Sequence, residues 1–90
     1  KGRKQDSIIY LQDTAWLRES DMVIAECTNP SLGVGYELAY AESHGIPCHI
    51  FYDKGETELS AMLTGNPYFQ IHPYQNEKKL FDKIDNILLK

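Results

Sequence analysis

The chain has 90 residues, of which 42% are hydrophobic and 24% charged, and its formal net charge is −4. That composition describes one small globular domain, near the size at which a single core is marginal. The acidic balance argues against nucleic acid as a partner, since phosphate neutralisation needs a basic surface. No apolar run is long enough to cross a bilayer and no signal-peptide pattern opens the chain. The sequence begins at Lys1, which reads as a processed or truncated chain. Cys27 and Cys48 lie in or beside apolar runs and lack metal-type spacing, as expected of buried reduced thiols in a cytoplasmic protein.

Taken in order, the polar start Lys1 to Gln5 is expected to fray. A first helix is predicted over Asp6 to Glu19. Projected at ~100° per residue, Ile8, Leu11 and Ala15 share one face, while Ile9, Tyr10, Trp16 and Leu17 gather opposite. A helix apolar on two sides is buried on two sides. One side can pack on a sheet; the other needs a further segment or a second subunit, and a dimer is the expectation. "MVIAEC" reads as a strand, followed by "NPSLGVGYELAYAESHG", a Pro-Ser-Gly loop running into a helix over Gly35 to His44. Gly45 stops that helix. "IPCHIFYD" and "YFQIHPY" are two further strands, with a helix predicted over Thr57 to Leu63 between them. Gly65-Asn66-Pro67 is the second stop. The last helix, Asn76 to Leu89, carries Leu80, Ile84, Ile87 and Leu88 as a core stripe. Strands alternating with helices at these lengths imply βαβ units, a parallel sheet, and helices on both faces.

Two carboxylates stand out. Asp13 falls among the apolar residues of the first helix's second face, so it requires a partner or a task. Glu37 follows the carboxyl end of a parallel strand, where open α/β sheets place their ligands. An ordinary reading exists for each: a buried hydrogen bond for Asp13, and dipole compensation in a first turn for Glu37. The approach from Ser31 through Gly35 is the kind of loop that leaves N–H groups free for a phosphate. The glycine pair fits neither a dinucleotide fingerprint, because Leu38 stands where a third small residue belongs, nor a Walker loop. Glu26 could reach the same mouth or serve a nearby backbone amide. The three histidines are not expected to converge, and no Ser-His-Asp or Cys-His order is present. Two carboxylates beside a phosphate-holding loop suit chemistry at a sugar carbon. One can stabilise or attack an incipient cation there, and the other can protonate a departing base.

"DMVIAECTNPSLGVGYELAYAESHGIPCHIFY", with "QDTAWL" before it and "LSAM" after it, resembles the nucleoside 2-deoxyribosyltransferase superfamily. The block "PSLGVGYE" is most similar to its hydrolase branch, which acts on 2'-deoxynucleoside 5'-monophosphates. The resemblance covers about Asp6 to Phe69 and implies a flavodoxin/Rossmann-like α/β fold, a three-layer parallel sheet in a single domain over residues 1–90. It implies that Glu37 is the nucleophile, forming a covalent deoxyribosyl intermediate, and that Asp13 contacts the deoxyribose and assists departure of the base. It implies that Ser31, Gly33 and Gly35 hold the 5'-phosphate, and that Ser60 reaches the same phosphate across a homodimer interface with Met62 beside it. No metal or organic cofactor is implied. The family's opening strand, helix and strand, with a Tyr and a Gly-Ser pair near the site, match nothing here. The chain is therefore expected to correspond to the C-terminal two-thirds of that domain, three strands and four helices. Transfer of deoxyribose between bases is the nearest rival. A phosphoribohydrolase would carry a Pro-Gly-Gly-x-Gly-Thr pattern absent here, and a non-catalytic nucleotide sensor would gain nothing from two carboxylates.

Overall fold

The computed structural model describes residues 5–89. Three strands, β1 (Val23–Glu26), β2 (Cys48–Asp53) and β3 (Gln70–Tyr74), form one sheet in the order β1-β2-β3, and both pairings are parallel. The helices are α1 (Asp6–Arg18), α2 (Leu32–Ser43), α3 (Ala61–Thr64) and α4 (Glu77–Leu88). The fold class is as expected. The fraying expected of the polar start falls outside the described residues except at Gln5, whose carbonyl accepts the Ile8 and Ile9 N–H groups.

Strand β2 is central, and its residues Cys48, His49, Ile50 and Phe51 are all buried, the mark of a strand covered on both faces. Alternation sends Cys48 and Ile50 to one face, where they pack with Cys27, Leu38, Ala41, Ile46 and Phe69. Leu38 and Ala41 place α2 on that face. Register aligns Glu26 with Phe51 and Phe51 with His72, so these three share the other face. At the end of α2, Gly45 adopts φ 71°, a left-handed turn that glycine enters without steric cost.

Three differences from the sequence-based expectations matter. Helix α2 begins at Leu32 rather than Gly35, because Ser31 caps it, so Glu37 lies in the second turn. The helix expected over Thr57 to Leu63 shrinks to α3, capped by Ser60. Leu59 and Leu63 still reach the core, but a single turn suffices to bring them there. Finally, α1 lies along α2, joined by a hydrogen bond from Arg18 Nη1 to the Tyr40 hydroxyl (2.7 Å) and an edge-on contact of Tyr10 with Tyr36. The expectation that one apolar side would pack on the sheet is not met within these residues: Ile8 and Leu11 on one side, and Tyr10 and Trp16 on the other, are all exposed. The stripe of α4 is likewise partly covered: Leu80, Ile84 and Ile87 are half-buried, while Phe81 and Leu88 are exposed.

Candidate active site

The site is built on the N-terminal half of α2. Ser31 has extended backbone angles, and its Oγ accepts the Val34 N–H at 3.3 Å, closing the first turn. The N–H groups of Leu32 and Gly33 have by position no carbonyl within the helix, so they and the helix dipole favour an anion at this end. Both glycines of the motif lie inside the helix, not in a loop ahead of it. A glycine in a helix costs roughly 0.5–1 kcal/mol relative to alanine. The fold does not demand either one: a Cβ on Gly33 would meet Ser31 Oγ at 3.7 Å, an ordinary contact, and one on Gly35 would meet nothing within 4 Å. Their effect is to strip the helix surface of side chains. Gly33 lies one turn above Glu37, and helical side chains lean toward the N-terminus, so that bare surface adjoins the Glu37 carboxylate.

Glu37 points away from the sheet toward α1. It lines a cleft of about 180 Å³ with Asp13, Trp16, Leu17 and Ser20. The two carboxylates singled out from sequence therefore meet. Burial, followed by the charge of Asp13, pushes the Glu37 carboxyl above its ordinary range. A raised carboxylate with a like-charged neighbour in a cleft is a recurring property of catalytic sites.

A larger cavity of about 370 Å³ opens on the other flank of α2. Ser31, Gly35, Ser60 and Met62 all line it, along with Val34 and Leu38. The larger hollow is therefore not the carboxylate cleft. Helix α2 separates the two, and no residue lines both. From Ser31 to Glu37 is six helical residues, about 9 Å along the axis and on the scale of a sugar phosphate. Ser60 Oγ accepts the Met62 N–H at 3.2 Å, leaving its own hydroxyl proton to donate. Met62 at this rim is 81% exposed and Leu32 96% exposed.

Glu26 stands apart from Glu37, since alternation along β1 puts it on the sheet face away from α2. It accepts the Thr28 N–H at 3.1 Å and bonds from the hydroxyls of Thr28 and Tyr74. Serving a nearby amide was one of its two expected roles. Two histidines do converge: His49 Nδ1 and His72 Nε2 are 3.0 Å apart across β2 and β3, with His72 stacked on Phe51. That pair depends on strand register, which no local pattern reveals. His44 caps the end of α2 and stacks on Tyr40. Cys27 and Cys48 are free and buried, and burial pushes both thiols up. Among the described residues, no group of three or more His, Cys, Asp or Glu could hold a metal ion, and no helix is long and apolar enough to cross a membrane.

Fold and site together define an α/β chain whose polar groups gather at the carboxyl end of a parallel strand, the usual ligand position in such sheets. The chain belongs to the nucleoside 2-deoxyribosyltransferase family, whose sequence model matches residues 1–86. It is 43% identical over 88 residues to a candidate 2'-deoxynucleoside 5'-phosphate N-hydrolase 1 of Syntrophotalea carbinolica, covering 97% of this chain and 62% of that protein. It is 45% identical over 78 residues to the 5-hydroxymethyl-dUMP N-hydrolase of Mus musculus, covering 81% of this chain and 44% of that one. The chain thus spans from under half to under two-thirds of these relatives' own length. Among solved structures, the Clostridium botulinum CMP N-glycosidase BcmB superposes with a TM-score of 0.74 at 22% identity, over 88% of this chain and 73% of that one. That likeness establishes the shared fold.

Proposed function

We propose that the protein carrying this chain hydrolyses the N-glycosidic bond of 2'-deoxynucleoside 5'-monophosphates, releasing free base and 2-deoxyribose 5-phosphate. The observation that carries this reading is the pairing of Glu37 with Asp13 on the flank of a helix whose N-terminus is capped by Ser31 and stripped by two glycines. An anion seat and an anion can then serve one substrate: the helix end takes the phosphate, and Glu37 faces the cationic sugar carbon. The names of the similar proteins, N-hydrolases acting on deoxynucleotides, support the same substrate class.

In this mechanism the ionised Glu37 carboxylate attacks C1' of the deoxyribose. The C1'–N bond breaks, its electron pair leaves with the base, and the base nitrogen takes a solvent proton that the ionised Asp13 relays. Water then adds to C1', gives its proton to solvent through Asp13, and frees Glu37 as a carboxylate. Ser31 and the N–H groups of Leu32 and Gly33 hold the phosphate beside the bare surface of Gly35, whose own N–H is given to the Ser31 carbonyl, and Ser60 of a second copy of the chain donates to it, with Met62 alongside. The exposure of Met62 at the rim of the larger cavity suits a homodimer that closes over it. The test is Glu37→Gln, which keeps shape and removes the nucleophile. Turnover should fall by orders of magnitude while substrate still binds; near-normal turnover removes Glu37 from the mechanism.

The family's own description, a deoxyribosyltransferase, favours one second reading: transfer of the sugar to another base in place of water. It differs in needing no 5'-phosphate, and equal turnover of unphosphorylated deoxynucleosides would establish it.

A further inference from the structure

The loop that leads to the helix end is anchored to all three strands. Glu26, the last residue of β1, accepts the Thr28 N–H, the Thr28 hydroxyl and the Tyr74 hydroxyl from β3. Thr28 Oγ1, having donated to Glu26, accepts the N–H of Asp53 on β2 at 2.9 Å. Next to it, the Cys27 N–H donates to Phe51 O at 2.8 Å. Thr28 is thus held through its amide and through both roles of its hydroxyl. Only Asn29 and Pro30 separate it from Ser31, and the proline ring fixes one of the intervening torsions.

We infer that Glu26, Thr28 and Tyr74 are positioning residues for the phosphate seat, fixing the root of the loop so that the Ser31 hydroxyl and the first N–H groups of α2 meet the 5'-phosphate without reorganising. This deepens the proposed function and rests on it. Glu26 itself does not touch the phosphate. It lies on the opposite sheet face, and its two oxygens are committed to three donors. Burial opposes its charge, but the bonds from Thr28 and Tyr74 outweigh that and hold the carboxyl below its ordinary range. The clamp therefore stays ionised and closed at neutral pH. A preorganised seat raises affinity by cutting the ordering cost of binding. The clamp's loss should therefore appear in binding of phosphate, not in the chemical step.

The experiment uses the native protein and its Thr28→Val, Thr28→Ser and Tyr74→Phe variants. It measures kcat and KM for a deoxynucleoside 5'-monophosphate, and inhibition by inorganic phosphate alone. Thr28→Val should raise KM and the phosphate inhibition constant together by roughly tenfold, the loss expected for a bond to a charged group. Its kcat should stay within about twofold, and Thr28→Ser, which keeps the hydroxyl, should restore both constants. Tyr74→Phe removes one donor of three and should shift both constants the same way, less far; it serves alone if Thr28→Val does not fold. Unchanged constants in the folded variants, or a fall in kcat at constant KM, would overturn the clamp. If the unaltered protein turns over the nucleotide but inorganic phosphate does not compete, the phosphate seat itself is misassigned, a failure distinct from that of the clamp.

Discussion

Asp13 on α1 and Glu37 on α2 line one cleft, and burial together with the charge of Asp13 holds the Glu37 carboxyl above its ordinary range. The folded protein therefore binds a proton at Glu37 more readily than the unfolded chain does. Linkage sets the sign: stability is lost as pH rises from the unfolded value, near 4.5, through the raised folded value. Above that window the charged Glu37 is a standing cost. Glu37→Gln should consequently raise the melting temperature at neutral pH, and the gap should close as the pH falls below the ordinary glutamate range. The measurement is thermal unfolding of both proteins against pH, and a gap independent of pH would show that Glu37 is not perturbed.

The same carboxyl sets an acid limb for activity. A nucleophile must be ionised, so kcat/KM should fall on acidification at a pH above that of an ordinary glutamate. A pH–rate profile flat through that region would separate Glu37 from the rate-determining chemistry.

Gly33→Ala and Gly35→Ala should stabilise the fold and impair the site. Neither Cβ would clash, and alanine in a helix gains roughly 0.5–1 kcal/mol over glycine. The added methyl would occupy surface that the sugar phosphate needs. Denaturant unfolding should show the gain and steady-state kinetics a KM raised by tenfold or more. A variant both more stable and fully active would mean that the glycines serve no ligand.

Ser60 separates a shared site from a self-contained one. Glu37→Ala and Ser60→Ala should each be inactive, and mixing them with subunit exchange should restore activity approaching half the wild-type value per heterodimer. In such a dimer one site carries both defects and the other carries neither. Ser60 and Ser31 also line one cavity within a single chain. If Ser60 acts there instead, mixing restores nothing, and that outcome with exchange confirmed excludes the shared site.

The elements were legible where period and punctuation agree, as for the three strands and for α1 and α4. The start of α2 is not legible, because two glycines read as loop, whereas the Ser31 cap and the packing of Leu38 and Ala41 hold them in a helix. Asp13 can be picked out by its apolar neighbours and Glu37 by its place after the carboxyl end of a parallel strand, but their meeting depends on how α1 lies along α2. That arrangement rests on the Arg18–Tyr40 hydrogen bond and the Tyr10–Tyr36 contact, between residues far apart in the chain. The Glu26–Tyr74 bond and the His49–His72 pair were hidden for the same reason, since parallel register has no local signature.

The most direct test of glycosidic hydrolysis is to identify the products. The native protein should be incubated with a 2'-deoxynucleoside 5'-monophosphate, its ribonucleotide counterpart and the unphosphorylated deoxynucleoside, and the mixtures followed by nuclear magnetic resonance. Cleavage at C1' predicts free base and 2-deoxyribose 5-phosphate in equal amounts from the deoxynucleotide, with little from the other two. Release of inorganic phosphate with the glycosidic bond intact, or no free base from the deoxynucleotide, would contradict it.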